Sequence, residues 1–369
     1  MNFYDFSLCR RIVKARGKAT LFTCDRTVVH GDEGFPVNRS YRGIYGKSRS
    51  WVRGLRFVYG SLAALPGARS SGHQVAHFHF FHVGPLELFN VLLARLLGLH
   101  VVITAHDVEA LKDGLSIAQF VRWAYRCADR VIAHSQVAKT ELIQELGIAD
   151  AKIDVILHGN YLGSAPADFT REAAKVHFGF SPENLVLVLF GQIKNVKGLD
   201  VLLKGFALAR TTDSSLRLLI GGRVWKTDFS KYQAIIESHG LAPYCALHIR
   251  YILDAEVPFL YRCADLVVLP QLRIYQSGVV LGAMSYGSAV LVSDIAGMLE
   301  AVVDESTGFV FRNRDARHLA QRVGEIFSKP GQSDGIGQAG LRMVSHRNDW
   351  SRLGEQVLDC YERALHAAH

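Results

Sequence analysis

A chain of 369 residues exceeds what one hydrophobic core usually organises, so two domains of roughly 150 to 200 residues are expected. With 49% hydrophobic and 21% charged residues, extended disorder is excluded, and no run approaches the ~20 unbroken apolar residues of a membrane span. The net charge of +8 is concentrated at one end, where Met1 to Arg69 holds thirteen Lys/Arg against four Asp/Glu. Beside Trp51, Phe57 and Tyr59, that local excess makes an anionic membrane surface a candidate partner, an ordinary solvated basic face being the plain alternative. Nucleic acid is not expected, because no zinc finger, helix-turn-helix or RNP-type signature accompanies the charge. The six cysteines are dispersed without a C-x-x-C pair, which predicts reduced thiols, and the N-terminus lacks a signal-peptide core. The expected location is the cytoplasm, peripheral on the inner face of the cytoplasmic membrane if the basic segment binds it.

In chain order, "QVAHFHFF" reads as a strand, "PLELFNVLLARLLG" as a helix closed by Gly98, and "HVVITAHD" as a strand. Then come the helix "IAQFVRWAYRCA", the strand "DRVIAHS", the helix "KTELIQELG" and the strand "KIDVILHG". Short, wholly apolar strands alternating with helices predict a parallel sheet covered on both faces. After the weaker stretch "NYLGSAPADFTREAAKVHFGFSPEN" the alternation restarts: strands at "LVLVLFG", "LRLLIGG", "LHIRYI", "DLVVLP", "AVLVSD" and "GFVF" enclose helices such as "GLDVLLKGFALAR" and "YQAIIESHG". The predicted fold is α/β, with two doubly wound Rossmann-like domains facing a cleft. The expected boundaries are 1–165 for an N-terminal acceptor-binding domain, 166–345 for a C-terminal nucleotide-sugar-binding domain, and 346–369 for a C-terminal helix packing back on the first.

Parallel sheets bind ligands at the carboxyl ends of their strands. After "LVLVLF" comes "GQIKNVKG", a loop bounded by Gly191 that carries Lys194 and Lys197, two ammonium groups suited to phosphate. After "LRLLI" comes "GGR", where glycines allow close approach and Arg223 follows. After "DLVVLP", Ser277 and Gly278 open a helix whose N–H groups and dipole favour an anion. After "AVLVSD", Gly297 permits a turn and Glu300 is expected to enter the next helix. Singly these are a solvated lysine, an N-cap and a first-turn acid; in order through one domain they suit a diphosphate.

These residues resemble the GT-B-fold glycosyltransferases that build bacterial surface polysaccharides, weakly before Gln74 and clearly from "VAHFHFFH" to "TGFVF". The resemblance rests on "HFH", "TAHD", "ADRVIAHS", "VILHGNY", the glycine-plus-lysine loop and "SGVVLGAMSYGSAVLVSDIAGMLEAV". "FGQIKNVKGLDVLLKGF" is also similar to the xanthan β-mannosyltransferase branch. The resemblance implies transfer of a hexose, first mannose from GDP-mannose, to a lipid-linked oligosaccharide in exopolysaccharide, capsule or lipopolysaccharide synthesis. The donor is a nucleotide diphosphate sugar, with no separate cofactor. It implies Lys197 as diphosphate ligand, with Lys194 second because Gln192 replaces the usual arginine, and Glu300 as the donor-site carboxylate. His106 and Asp107 are implied at the donor sugar or the acceptor's proton, and His158 as a pocket residue. Two glutamates common in retaining members are absent, their positions being Ile274 and Gly282. The broad family implies retention and the mannosyltransferase branch inversion. No metal is expected, since the chain has no Asp-x-Asp pair and His77, His79 and His82 lack a further fixed ligand. The reading from another class is a nucleotide-sugar-binding or scaffold protein that kept the fold and lost catalysis.

Overall fold

The computed structural model describes residues 2–15, 17–29, 31–106, 118–162, 169–274 and 277–366. The chain divides into two compact units, 1–159 with 349–369 and 160–348.

The first unit opens with helix α1 (Asn2–Lys14), a parallel pair of short strands, β1 (Leu21–Cys24) and β2 (Val37–Tyr41), and the long helix α2 (Ser50–Ser70). A four-stranded parallel sheet follows, built from β3 (Val75–Phe80), β4 (His100–Ala105), β5 (Arg130–Ala133) and β6 (Ile153–Val155) in sequence order. Helices α3 (Pro85–Leu96), α4 (Ala118–Cys127) and α5 (Gln136–Leu146) connect these strands. Alternation along a strand sends successive side chains to opposite faces. Val102 of β4 and Ile132 of β5 thus meet Tyr4, Leu8 and Ile12 of α1 on one face.

The second unit continues with α6 (Arg171–His177), β7 (Leu185–Phe190), α7 (Leu199–Arg210), β8 (Leu216–Gly221), α8 (Ser230–Ser238), β9 (Cys245–His248) and α9 (Val257–Cys263). Next come β10 (Leu266–Leu269), α10 (Gly278–Ser285), β11 (Val290–Ser293), α11 (Ala296–Leu299), β12 (Phe309–Phe311), α12 (Ala316–Phe327) and α13 (Gln332–Arg347). Its six parallel strands run β12-β11-β10-β7-β8-β9, the doubly wound order whose reversal lies between β7 and β10. Two apolar layers sandwich this sheet: Phe206 of α7 and Leu319 of α12 pack on one side, Val280 of α10 and Tyr261 of α9 on the other. The strand expected over "LHIRYI" ends earlier, at His248, because Arg250 turns off the sheet edge to clasp Glu256 through two nitrogens.

The segments entering and leaving this unit run side by side, Asn160 N–H donating to the Asn348 carbonyl at 2.9 Å and Asn160 Nδ2 to the Val344 carbonyl at 3.2 Å. The chain then returns to the first unit as α14 (Trp350–Leu365), whose Trp350, Leu353, Val357 and Cys360 join α1 over β4 and β5. Among the described residues no helix is long and apolar enough to cross a membrane.

Trp350 fixes a backbone requirement. A β-carbon on Gly159 would fall 2.1 Å from the indole Cε2, inside any tolerable contact. Gly159→Ala is therefore expected to cost about 1–3 kcal/mol through overpacking. Gly67→Ala, on α2 where a β-carbon meets nothing within 4 Å, should instead stabilise by about 0.5–1 kcal/mol. Urea midpoints of the two variants check the pair.

Candidate functional site

In the second unit the loops after β7, β8 and β10 converge at the strand-order reversal, and glycines set how closely. A β-carbon on Gly198 would lie 1.8 Å from the Pro270 carbonyl oxygen, and one on Gly222 equally 1.8 Å from that of Gly191. Leu272 N–H donates to the Val196 carbonyl at 2.8 Å, tying the β7 loop to the segment after β10. Lys194 precedes a single turn over Asn195–Lys197, and Gly198, with φ of 67°, then starts α7. Arg223 follows the Gly222 contact, its guanidinium 5.2 Å above the Trp225 ring. Ser277 caps α10, its hydroxyl accepting from Val280 N–H at 3.3 Å, and Val279 lies 3.5 Å from where a Gly191 β-carbon would be. Gly191, Lys194, Lys197, Arg223, Ser277 and Gly278 thus gather around one end of the sheet. Such a set offers ammonium and guanidinium charge, open backbone and a helix N-terminus to a polyanion.

Glu300 departs from the expectation. It follows the last residue of the one-turn α11 instead of entering a helix, and its carbonyl accepts from Arg347 Nη1 at 2.7 Å. Four residues make only one turn after Ile295, so the acid falls at the end. The positions at which the sequence resemblance implies glutamates are occupied differently. Ile274 packs against the apolar layer, and a β-carbon on Gly282 would lie 2.6 Å from the Tyr261 hydroxyl, which fills the space a carboxylate would need. Gln271, almost fully buried, keeps its Oε1 without a hydrogen-bond partner beside this loop cluster; a single Gln after a strand gave no sequence signal for it.

In the first unit every strand of the four-stranded sheet delivers a histidine to its carboxyl end: His79 on β3, His106 just past β4, His134 just past β5 and His158 beyond β6. The ring of Tyr4, from α1, sits among them, its centroid 5.4, 4.9, 5.4 and 4.8 Å from those of His79, His106, His134 and His158. Trp350 closes the group at 5.2 Å from Tyr4. His77 is locked between the Tyr361 hydroxyl and Thr104 Oγ1, both at 2.7 Å, and has a packing role. His82 lies at the surface beside Glu87. His106 is half-buried, with Nε2 2.9 Å from His79 Nδ1 and its ring stacked 4.8 Å from Phe81. Asp107 lies outside the described residues. No three His, Cys, Asp or Glu side chains gather as metal ligands among the described residues.

Carbonyls can only accept, so His134 Nδ1–H donates to Ile156 at 2.8 Å and His158 Nδ1–H to Gly159 at 2.7 Å. Burial pushes the pKa of His134 down to about 3 and that of His158 to about 4, despite these bonds. His77 and His106 are held well below the ordinary value first by burial and then by neighbouring imidazoles, and His79 is lowered by burial against the pull of Asp5. The row is polar yet uncharged near neutral pH.

Residues 4–159 match the model of Glycosyltransferase Family 4, and residues 184–329 match that of Glycosyl transferases group 1. A D-inositol 3-phosphate glycosyltransferase of Nocardia farcinica is 30% identical over 252 residues, 66% of this chain and 54% of the relative, so the match spans about half its length. One from Segniliparus rotundus is 26% identical over 330 residues, 84% of this chain and 70% of that protein. The group 1 resemblance is thus supported, and the relatives reported carry inositol phosphate names instead of xanthan mannosyltransferase ones. Among solved structures, sucrose-phosphate synthase of Thermosynechococcus elongatus superposes with a TM-score of 0.78 at 16% identity, covering 99% of this chain and 94% of that one. HepE of Anabaena in complex with UDP and glucose superposes with 0.78 at 16% identity, over 98% and 95%. The fold is GT-B, two α/β domains with parallel sheets.

The histidine row makes the first unit acid-sensitive. Unfolded histidines titrate near 6.5, so groups with lowered folded pKa stabilise fully above that pH and lose the contribution as pH falls towards 4 and 3. His134 and His158 should each forfeit about 2 kcal/mol between pH 7.5 and 5. Urea midpoints across this range should fall steeply, and less steeply in His134→Asn; a flat wild-type profile would exclude neutral burial.

Proposed function

We propose, from the premise that the chain belongs to the group 1 glycosyltransferases, that it transfers a hexose from a nucleoside diphosphate hexose to a lipid-linked oligosaccharide. The observation that carries the reading is the convergence of Lys194, Lys197, Arg223 and the Ser277–Gly278 helix end at the strand-order reversal of the second unit. Their charge and dipoles oppose the negative charge that grows on the diphosphate as its bond to C1 breaks, while the acceptor oxygen bonds to C1 and its proton passes to the released diphosphate. Positive side chains and backbone dipoles supply this stabilisation without a metal. GDP-mannose is the first donor to test, on the likeness of the Gly191 loop to the mannosyltransferase branch. In the first unit His106 and Asp107 are assigned to the reacting sugars, and in the second unit Glu300 is assigned to the donor hexose.

The relatives' names favour a second acceptor class, an inositol phosphate, and the acceptor panel includes it. A face of the first unit supports the lipid reading. Trp51, Leu55, Tyr59 and Leu62 recur at helical spacing along α2, each more than half exposed, with Arg49, Arg53 and Arg56 on the same helix end. An apolar stripe with cations beside it suits docking on an anionic membrane, where a lipid-linked acceptor resides.

Lys197→Ala should remove a charge-assisted contact worth roughly 1.5–3 kcal/mol and weaken nucleoside diphosphate binding by about one to two orders of magnitude. Calorimetry with GDP, UDP and ADP checks this, and wild-type affinity in the variant would overturn the assignment. Transfer assays across nucleotide sugars test the reaction; absence of both transfer and donor hydrolysis would favour the scaffold reading.

Wild type should float with vesicles containing anionic lipid, less so as salt rises. Reversing Arg49, Arg53 and Arg56 together should weaken that binding by at least roughly a hundredfold, since about 1 kcal/mol goes with each lost arginine and the new acids add repulsion, while sparing nucleotide affinity. Indifference of the wild type to anionic vesicles at low salt would leave the helix a solvated face.

A further inference from the structure

The carboxyl-end histidines are not equivalent. His134 and His158 each give their Nδ1–H to a backbone carbonyl, and His77 is held at both nitrogens. His106 is engaged through Nε2 alone, by His79 Nδ1 at 2.9 Å, and no described residue accepts from or donates to its Nδ1. Two neutral imidazoles at that distance share one proton, one ring donating and the other accepting.

Asp5 decides which. Its Oδ1 is buried without a hydrogen-bond partner and lies 3.6 Å from that same His79 Nδ1. The separation is too long for a hydrogen bond, but a carboxylate there favours an N–H on Nδ1 and opposes a lone pair. His79 then donates to His106, whose Nε2 accepts. The one proton of His106 must sit on Nδ1.

We infer that Asp5 and His79 are positioning residues that fix the tautomer of His106, so that its Nδ1–H meets the bound hexosyl ligand as a hydrogen-bond donor. The identity of that ligand rests on the glycosyl-transfer reading; the tautomer rests on the geometry alone. Ring contacts complete the constraint, with Phe81 stacked on one side of His106 and Tyr4 edge-on at 4.9 Å. The ionisable groups facing the pair are Tyr4 and Asp5 from α1, His77 on β3, His134 after β5 and His158 after β6. Asp5 is the one carboxylate among them, and it lies against His79. With Nε2 already taken and the surrounding imidazoles opposing further positive charge, His106 does not serve as a general base.

The test is nitrogen-resolved NMR of the full chain carrying 15N-labelled histidine, at pH 7.5, with His106 assigned by its loss in His106→Gln. One tautomer with the proton on Nδ1 is expected in the wild type, and a mixture in Asp5→Asn and in His79→Gln. A proton on Nε2 in the wild type, or an unchanged tautomer in both folded variants, would overturn the inference. In transfer assays Asp5→Asn should lower kcat about tenfold with donor KM unchanged, the loss of one oriented hydrogen bond, and Asp5→Glu should restore part of it. Wild-type kcat should lack any ionisation between pH 6 and 8 that disappears in His106→Gln; finding one would make His106 a base and refute the donor role. A chain with the expected tautomer that transfers no hexose from any donor would overturn the glycosyl-transfer reading and the ligand contact with it, leaving the tautomer established.

Discussion

The carbonyl of Pro270 occupies the place where a β-carbon on Gly198 would be, and the loop cluster of the second unit depends on that contact of backbone with backbone. A side chain at Gly198 is opposed twice, by the 1.8 Å approach and by a φ of 67°, which L-residues rarely adopt. Because the contact holds, the β7 loop is clamped to the segment after β10, and Lys197, one residue before the glycine, is held within the group that ends at Ser277. Positive groups fixed before a ligand arrives cost little reorganisation when charge develops, which is the condition for electrostatic catalysis.

The first unit applies the same parallel logic to a different chemistry. Carboxyl ends of adjacent strands lie side by side, so a histidine near the end of each becomes a row. Tyr4 packs that row together from α1, and α1 is in turn held by α14, where Gly354 lets the Arg11 β-carbon come within 2.9 Å of the missing one. One unit thus presents cations and backbone donors suited to phosphate, the other uncharged imidazoles suited to sugar hydroxyls. The neutral state of the imidazoles has a physical origin in burial, and acid lability accompanies it.

Departure from related enzymes is built into packing. Losing a carboxylate at position 282 is not a simple deletion, since the Tyr261 hydroxyl fills the space and donates to the Val279 carbonyl at 3.3 Å. Tyr261 also stacks on Tyr286 at 5.1 Å, so restoring an acid at Gly282 would require displacing a buried aromatic pair. The buried side-chain amide of Gln271, a residue held at its backbone carbonyl by the Ser293 hydroxyl, is an uncharged polar group in the segment after β10.

The sequence by itself determined the α/β alternation from Val75 onward, because wholly apolar strands, helical periodicity and closing glycines are local signals. It also marked out the loop after β7, since a glycine, two lysines and a helix start are read directly after a strand. It left β1, β2, α1 and α2 unread, where short mixed-polarity strands and a basic helix carry no clear period. Tertiary structure alone decided that Asp5 would reach His79 across more than seventy residues of sequence, and that Tyr4 would sit among four histidines from separate strands. It alone placed Glu300 after α11 instead of within it, because the length of a one-turn helix depends on what it packs against. Local order comes from neighbours in the chain, whereas side-chain partners and tautomers follow from strand order, which no single segment encodes.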